Sequence, residues 1–315
     1  MILVAGSANL DFVVRAPHIP APGETVLGGD FRTFAGGKGA NQAIACARAG
    51  GVATRMLLGL GRDSFAEPIE ESLNAAGVKL HVHRSDNLPT GTAFICVSDD
   101  AENAITVAPG ANSALRAEHL PDLSGLQFLL LQLETPLNTV AAYAEAARRA
   151  GVQVVLNAAP AQALPPALLA YVDVLVVNEG ELACISNCTG SVADCLNQLP
   201  DLPCIVVTLG GRGCCARMND QIILQTAFAV TPVDTTAAGD TFCGVLAASL
   251  AQQLSLPQAL KLASAAAALA CTRTGAQDSI PTRQEVDQFL ANQQLDSAKN
   301  SVALDALATF AGFNS

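Results

Sequence analysis

The sequence contains no tryptophan, and aromatic residues make up only 4% of its 315 residues. A folded core must therefore be aliphatic and rich in alanine, which is feasible because half of the residues are hydrophobic. A chain of this length is sufficient for one large α/β domain or two ordinary domains.

Basic residues are also scarce: 17 Lys and Arg stand against 28 Asp and Glu, so the formal net charge is −11. Nucleic-acid binding depends on clustered Lys and Arg, and this balance argues against a nucleic-acid partner. It does not exclude a phosphorylated ligand, because a local group of backbone N–H donors binds anions even inside an acidic protein.

No apolar run is long enough to span a bilayer, and the chain opens on a strand-like apolar run without a basic leader region. The ten cysteines form no Cys-x-x-Cys pair, and Cys184, Cys188 and Cys195 fit no zinc spacing. Most of the others lie in apolar runs. We therefore expect a cytosolic protein with reduced cysteines and no membrane partner.

Strand-like and helix-like segments alternate regularly after residue 126. Predominantly apolar, strand-like runs at residues 126–133, 152–157, 172–177 and 204–209 are separated by helical patterns. Such runs predict an α/β fold with a mostly parallel central sheet and helices on both faces.

The early part of the chain has a different pattern. Proline-punctuated, strand-like stretches at residues 12–15 and 24–34, with a hairpin pattern at 91–108, predict a small β-sheet that forms a lid on one large domain. We expect that domain to span residues 1–294. Residues 295–315 are expected to be a tail, either a weak helix or disordered.

The most informative stretch is residues 234–242. Small residues at Ala237, Ala238 and Gly239 let the backbone approach a ligand, and N–H groups at a helix start bind anions. Asp240 follows directly. A carboxylate beside an anion site is explained either by general-base chemistry or by a simple helix N-cap.

A second glycine-rich segment, residues 36–39, precedes a helical pattern. It is not a P-loop, because it lacks the Gly-x-x-x-x-Gly-Lys-Ser/Thr spacing, and no Gly-x-Gly-x-x-Gly follows the first strand. We interpret it as a loop against a small polar ligand, with Asn41 pointing at that ligand.

Polar residues follow several predicted strands, and in open parallel sheets ligands bind beyond the carboxyl ends of the strands. Asn178 and Glu181, three residues apart, are explained equally well by a helix cap or by contact with a metal–phosphate group. The other strand-end positions are Asn9, Asp11, Glu134, Asn157 and residues 210–213.

Residues 35–61 and 234–247 resemble the two signatures of the ribokinase-type (PfkB) sugar kinases, and the resemblance extends to about residue 293. It implies ATP-dependent phosphorylation of the primary hydroxyl of a pentose, with D-ribose the first candidate. It also implies Mg²⁺, a K⁺ activator and a homodimer paired through the lid. Deoxyribose, a nucleoside or another sugar remain alternatives, as does a catalytically silent sugar sensor. Asp240 and Gly239 favour the enzyme.

The resemblance also assigns residues. Asp240 would be the base, beside an anion hole formed by Ala237, Ala238, Gly239 and the Asp240 backbone. The sugar would be held by Asn9, Asp11, Gly37, Lys38, Asn41 and Glu134. Phosphate, Mg²⁺ and nucleotide would be bound by Asn178, Glu181, Thr208, Gly210, Gly211, Gly213 and Ser264, the last at a position near the adenine where relatives often carry Asn or His. The K⁺ site would comprise Asp234, Thr236, Ala270, Arg273, Gly275 and Ser279.

Overall fold

The computed structural model describes residues 1–100, 102–219, 221–293 and 297–313. Its strands are β1 (Ile2–Ala5), β2 (Asn9–Ala16), β3 (Phe31–Gly36), β4 (Thr54–Leu60), β5 (Lys79–Arg84), β6 (Gly91–Ser98), β7 (Asn103–Ala108), β8 (Phe128–Leu131), β9 (Gln153–Asn157), β10 (Val174–Asn178), β11 (Cys204–Thr208), β12 (Gly213–Met218) and β13 (Gln221–Thr226). Its helices are α1 (Lys38–Ile44), α2 (Ala66–Ala75), α3 (Leu137–Arg149), α4 (Pro166–Leu169), α5 (Glu179–Ser186), α6 (Val192–Gln198), α7 (Ala238–Ala251), α8 (Leu256–Ala270), α9 (Arg283–Asn292) and α10 (Ser297–Ala311).

Nine strands form the main sheet, in the order β13-β12-β11-β10-β9-β8-β1-β4-β5. The strands from β11 to β5 are parallel, and β12 and β13 add an antiparallel edge. Alternate residues enter two separate cores: Ile2 and Val4 pack on one face, Leu3 and Ala5 on the other. This confirms the predicted α/β class, since strands buried on both faces read as continuous apolar runs.

The second sheet has four strands in the order β3-β2-β6-β7 and matches the small β-sheet predicted beside the main one. The strand predicted for residues 24–34 forms only from Phe31 onward. Gly28 and Gly29 precede it, and glycine weakens a strand because it contributes no side chain to pack.

At the C-terminal end, residues 297–311 form α10. Its residues Leu307 and Ala311 are buried in the core on the face of the main sheet that also buries Leu3 and Ala5. Four residues of the expected tail, 295, 296, 314 and 315, lie outside the described part of the chain. Among the helices that are described, none combines the length and apolar character needed to cross a bilayer.

Candidate active site

The polar residues meet where the strand order of the main sheet reverses. The chain runs from β1 outward to β4 and β5, and after β7 it returns to β8 on the other side of β1. In open α/β sheets the crevice at such a switch point binds ligands. Asn9 follows β1 at this point, and Glu134 follows β8.

The glycine-rich segment packs against the end of β1. Gly37 has φ 90°, and a Cβ there would lie 2.7 Å from the Cα of Ala8. A Cβ on Gly39 would lie 2.6 Å from the backbone nitrogen of Ser7. Only glycine fits this approach, which places the start of α1 beside the strand-end residues.

Glu134 joins the glycine-rich loop to the residues that follow β1. Its Oε2 accepts from Ser7 Oγ at 2.5 Å and from the Lys38 backbone N–H at 3.2 Å, and its Oε1 lies 3.9 Å from Lys38 Nζ. Burial alone would lower the pKa of Lys38, but the negative charges of Asp240, Glu134 and Glu181 raise it above its usual value. The lysine is therefore a fixed positive charge among carboxylates.

Asn9 is buried and held by Asn112, a residue that the sequence did not single out. Asn112 Nδ2 donates to Asn9 Oδ1 at 2.8 Å and to the Ala8 carbonyl at 3.1 Å, and its Oδ1 accepts from the Ala8 N–H at 3.0 Å. A buried amide that satisfies three partners fixes the strand end against the segment before α3.

Asp11 lies on β2 and is 8% exposed. Burial first, and then the charges of Glu134 and Asp240, raise its pKa from 3.8 to about 7, while Lys38 acts in the opposite direction. A perturbed carboxyl in a cleft is typical of a functional site.

Asp240 contacts residues from the other end of the sequence. Its Oδ2 accepts from Asn41 Nδ2 at 2.9 Å, and its Oδ1 accepts from Gln42 Nε2 at 3.0 Å. Asn41 is buried, and its Oδ1 has no partner within the described residues. That atom is free to accept a hydrogen bond from a ligand hydroxyl beside Asp240.

Gln42 belongs to a buried amide network behind Asp240. Its Nε2 also donates to Asn157 Oδ1 at 3.0 Å, and its Oε1 accepts from Gln132 Nε2 at 2.6 Å. The network links α1 to the ends of β8 and β9. In the sequence, the only feature that marks Gln42 is its place beside Asn41 in the glycine-rich motif.

The start of α7 supplies free backbone donors. Ala237 is the N-cap and has a left-handed φ of 58°, unusual for a residue with a Cβ. The Ala238 N–H donates to the Thr235 carbonyl at 3.2 Å. The N–H groups of Gly239 and Asp240 have no acceptor within the described chain, because the first turn of a helix offers none. These two groups, with the helix dipole, can bind an anion.

Asn178 and Glu181 form a reciprocal capping box at the start of α5. Asn178 Oδ1 accepts from the Glu181 N–H at 2.8 Å, and Glu181 Oε2 accepts from the Asn178 N–H at 2.8 Å. Burial is the main reason that the pKa of Glu181 is raised, and the Asp240 charge adds to it. The cap therefore holds Glu181 within electrostatic reach of Asp240.

Two cavities meet at the loop before α7. A cleft of about 760 Å³ lies between the lid and the main domain, with Asp11 at one wall and Asp234 at the other. A second cavity of about 470 Å³ is lined by the start of α7 and by residues Thr208, Gly210, Gly211, Gly213 and Ser264. Thr235 and Pro232 line both cavities. The residues assigned to the nucleotide are thus brought together on the other side of that loop from Asp11.

Asp234 joins the loop before α7 to the loop after α8. Its Oδ1 accepts from the Thr236 N–H at 2.9 Å, and its Oδ2 accepts from the Gly275 N–H at 3.0 Å. Among the other residues assigned to a cation, Arg273 pairs with Glu285 at 2.6 Å, the Ser279 hydroxyl donates to the Ala276 carbonyl at 2.8 Å, and Ala270 is buried in α8. In the residues that the structure covers, no group of three His, Cys, Asp or Glu side chains could hold a metal ion.

Comparisons with known proteins agree on one family. The pfkB family carbohydrate kinase model matches residues 1–283. A ribokinase of Haemophilus influenzae is 38% identical over 303 residues, 92% of this chain and 98% of that protein. A deoxyribokinase of Salmonella typhimurium is 33% identical over 302 residues, 92% and 98% of the two chains. The structure of Arabidopsis thaliana ribokinase complexed with ribose and ATP matches with a TM-score of 0.83 at 33% identity, over 93% of this chain and 99% of that one. The chain therefore belongs to the pfkB family of carbohydrate kinases.

Proposed function

We propose that the protein transfers the γ-phosphoryl group of ATP to the primary hydroxyl of D-ribose. The observation that carries this proposal is the arrangement around Asp240. Its carboxylate is bound by Asn41, whose Oδ1 is unpaired, and its own backbone N–H and that of Gly239 are the free donors at the start of α7. Relatives that are ribokinases match nearly the whole chain. Phosphoryl transfer needs mainly positioning and charge stabilisation, and this site offers both.

The sugar would occupy the cleft under the lid. Asp11 and the Asn41 Oδ1 offer acceptors for its hydroxyl groups, and the Asn9 Nδ2 offers a donor. Gly37 and Gly39 let the start of α1 lie against the end of β1 beside these groups. Asp240 would take the proton of the attacking hydroxyl as that oxygen forms its bond to phosphorus. Asn41 and Gln42 hold the carboxylate in one orientation, which lowers the cost of arranging it at the moment of reaction.

The phosphates would lie at the start of α7. The N–H groups of Gly239 and Asp240 would stabilise the charge that develops on the transferred group. Magnesium would arrive with ATP and partly neutralise the phosphates, and Glu181 with Asn178 supplies oxygen donors of the kind that Mg²⁺ prefers. The nucleoside would occupy the cavity lined by Thr208, the glycine turn and Ser264.

A monovalent cation such as K⁺ would fit beside Asp234. Its ligands would be the Asp234 carboxylate and backbone oxygens of the adjoining loops, since a hard cation prefers oxygen. Asp234 already holds the Thr236 and Gly275 backbones together, so bound charge would stiffen the loop that leads into the anion-binding N–H groups.

We also propose that two copies pair through the lid. On the face away from the cleft, the lid exposes Phe31 and Phe94, which are 61% and 54% exposed and both stack on Phe12. Neighbouring exposed rings of this kind are typical of an interface. Light scattering should give the mass of a dimer, and a monomeric mass would contradict this. The ten unpaired thiols favour a reducing compartment, the cytoplasm.

The test is an ATP-consumption screen over pentoses, hexoses and nucleosides, with the product located by the phosphorus–proton couplings of its NMR spectrum. We expect D-ribose to have the highest kcat/KM and the phosphate to be on its primary hydroxyl. A higher kcat/KM for 2-deoxy-D-ribose would move the assignment to the deoxyribokinase alternative, which a 33% identical relative keeps open. Sugar binding without turnover of any sugar would indicate a sensor and refute the kinase assignment.

A further inference from the structure

Helix α10 lies beyond the part of the chain that the family model matches, which ends at residue 283. It packs on the edge strand β13 of the main sheet. Leu307 and Ala311 are buried in the core that includes Leu3 and Ala5 of β1. Gly312, at φ 82°, ends the helix against Ser191, where a Cβ would lie 2.5 Å from the Ser191 Oγ. The C-terminal end of α10 is therefore held in a fixed position against the main sheet and Ser191.

One side chain of α10 contacts a residue next to the wall of the 470 Å³ cavity. The guanidinium carbon of Arg212 lies 3.8 Å from the centre of the Phe310 ring, which is the geometry of a cation–π contact. Arg212 stands between Gly211 and Gly213, both of which line that cavity. Its carbonyl accepts from the N–H of Ala227, another lining residue, at 3.2 Å.

The turn at residues 210–213 is rich in glycine, so a side-chain contact that restricts its backbone has a large effect on its conformation. Three of its four residues are glycine, and Gly210 and Gly213 have φ values of 55° and 117°. Glycine backbones have wide conformational freedom, and Arg212 carries the one side chain of the turn. A contact that holds this side chain restricts the whole turn.

We infer that α10 is a positioning element for nucleotide binding, and that it acts through Phe310 on Arg212 in the glycine turn. Arg212 does not line the cavity itself, so the contact acts through the backbone of its neighbours. The inference rests on the proposed use of the 470 Å³ cavity by a nucleotide, but not on the identity of the sugar.

The experiment measures the Kd for ADP with Mg²⁺ by calorimetry, and the KM values for ATP and D-ribose, in the full chain. Phe310→Leu keeps an apolar side chain but removes the ring, and we expect the Kd for ADP and the KM for ATP to rise about two- to fivefold, the size expected for an exposed cation–π contact. The KM for D-ribose should not change. Phe310→Tyr should retain the affinity of the unaltered chain. Val302→Ala on the same helix, where Val302 is 69% exposed, is the matched control.

A double-mutant cycle with Arg212→Gln separates this role from a direct contact. If Arg212 acts through Phe310, Arg212→Gln should weaken ADP binding in the unaltered chain and add little in the Phe310→Leu background. Equal losses in both backgrounds, or an unchanged Kd in Phe310→Leu, would overturn the inference while leaving the kinase assignment intact. A failure of the unaltered chain to bind ADP would overturn both.

Discussion

Replacing Asp240 by asparagine tests the general base with little disturbance of the fold. The carboxylate accepts from Asn41 Nδ2 at 2.9 Å and from Gln42 Nε2 at 3.0 Å. An amide at this position can accept only one of these bonds. Asn41 can turn its own amide so that its unpaired Oδ1 accepts from the new NH₂ group. The free energy of unfolding should therefore fall by only about 1 kcal/mol, the net worth of an ordinary hydrogen bond.

The rate should fall much further than the stability. An amide cannot take the proton of the attacking hydroxyl, and a positioned general base contributes about 10²–10⁴-fold. At 1.36 kcal/mol for each factor of ten, this raises the activation barrier by about 3–5 kcal/mol. The KM for ATP should not change. The KM for D-ribose should rise only a few-fold, because the turned Asn41 amide presents Nδ2 rather than Oδ1 to the sugar.

The assay is the rate of ADP release at saturating ATP and D-ribose, with melting temperature as the check on folding. Asp287→Asn, which makes the same chemical change at an exposed carboxylate paired with Arg283, serves as the matched control and should keep the rate of the unaltered chain. A folded Asp240→Asn variant with kcat within a few-fold of that rate would refute the assignment of the base.

Four further predictions concern the sugar pocket, the orientation of the base and the loop before α7. Asp11→Ala should raise the KM for the sugar about 5- to 150-fold and that for ATP little, since removing one hydrogen-bond partner costs about 1–3 kcal/mol; equal effects on both would place Asp11 outside the sugar pocket. Because the pKa of Asp11 is raised from 3.8 to about 7, the contribution of this group to the free energy of unfolding is fully present below pH 3.8 and is lost as the pH rises through 7. At pH 8, Asp11→Asn should therefore have a higher free energy of unfolding than the unaltered chain, by at most about 4 kcal/mol. At pH 4 it should have no such advantage. Gln42→Leu should lower kcat by at least about tenfold with a smaller change in either KM, and a change in KM alone would contradict its role in orienting Asp240. Potassium should raise the rate above that in sodium at equal ionic strength and fixed magnesium, and Asp234→Ala should abolish most of the difference; equal rates in both salts would leave Asp234 as a turn residue.

The sequence predicted the fold class because buried parallel strands have a continuous apolar pattern that few other structures share. It also predicted that polar residues after the strands would meet. It could not predict the partners that orient them. Gln42 contacts a residue 198 positions away, and Asn112 contacts Ala8 across 104 positions. Such pairings depend on the strand order of the sheet, which no local pattern encodes.

The glycine turn at residues 210–213 is a second case in which the lining of a site could be predicted but a distant partner could not. The resemblance predicted that Gly210, Gly211 and Gly213 line the nucleotide, and these glycines do line a cavity with Ser264. Their link to Phe310 was not predictable, because α10 has little amphipathic pattern and its place is fixed by Leu307 and Ala311 in the core. A helix with this composition is equally compatible with a free tail.

Three acidic or amide groups near the ends of elements had the same two explanations from the sequence, a local cap or a chemical task, and the structure separates them. Asn178 binds the N–H group of Glu181, three residues on, so the local explanation holds for it. Asp234 binds the N–H groups of Thr236, two residues on, and of Gly275, 41 residues on, so it both shapes a turn and joins two loops. The local explanation fails for Asp240. The N-cap of its helix is Ala237, which makes no side-chain cap, and both oxygens of Asp240 accept from the amides of Asn41 and Gln42. A carboxylate held by two side chains from a distant helix contributes nothing to helix capping. That arrangement fixes the orientation of the carboxylate beside the unpaired Asn41 Oδ1, and a fixed orientation is the requirement for a general base.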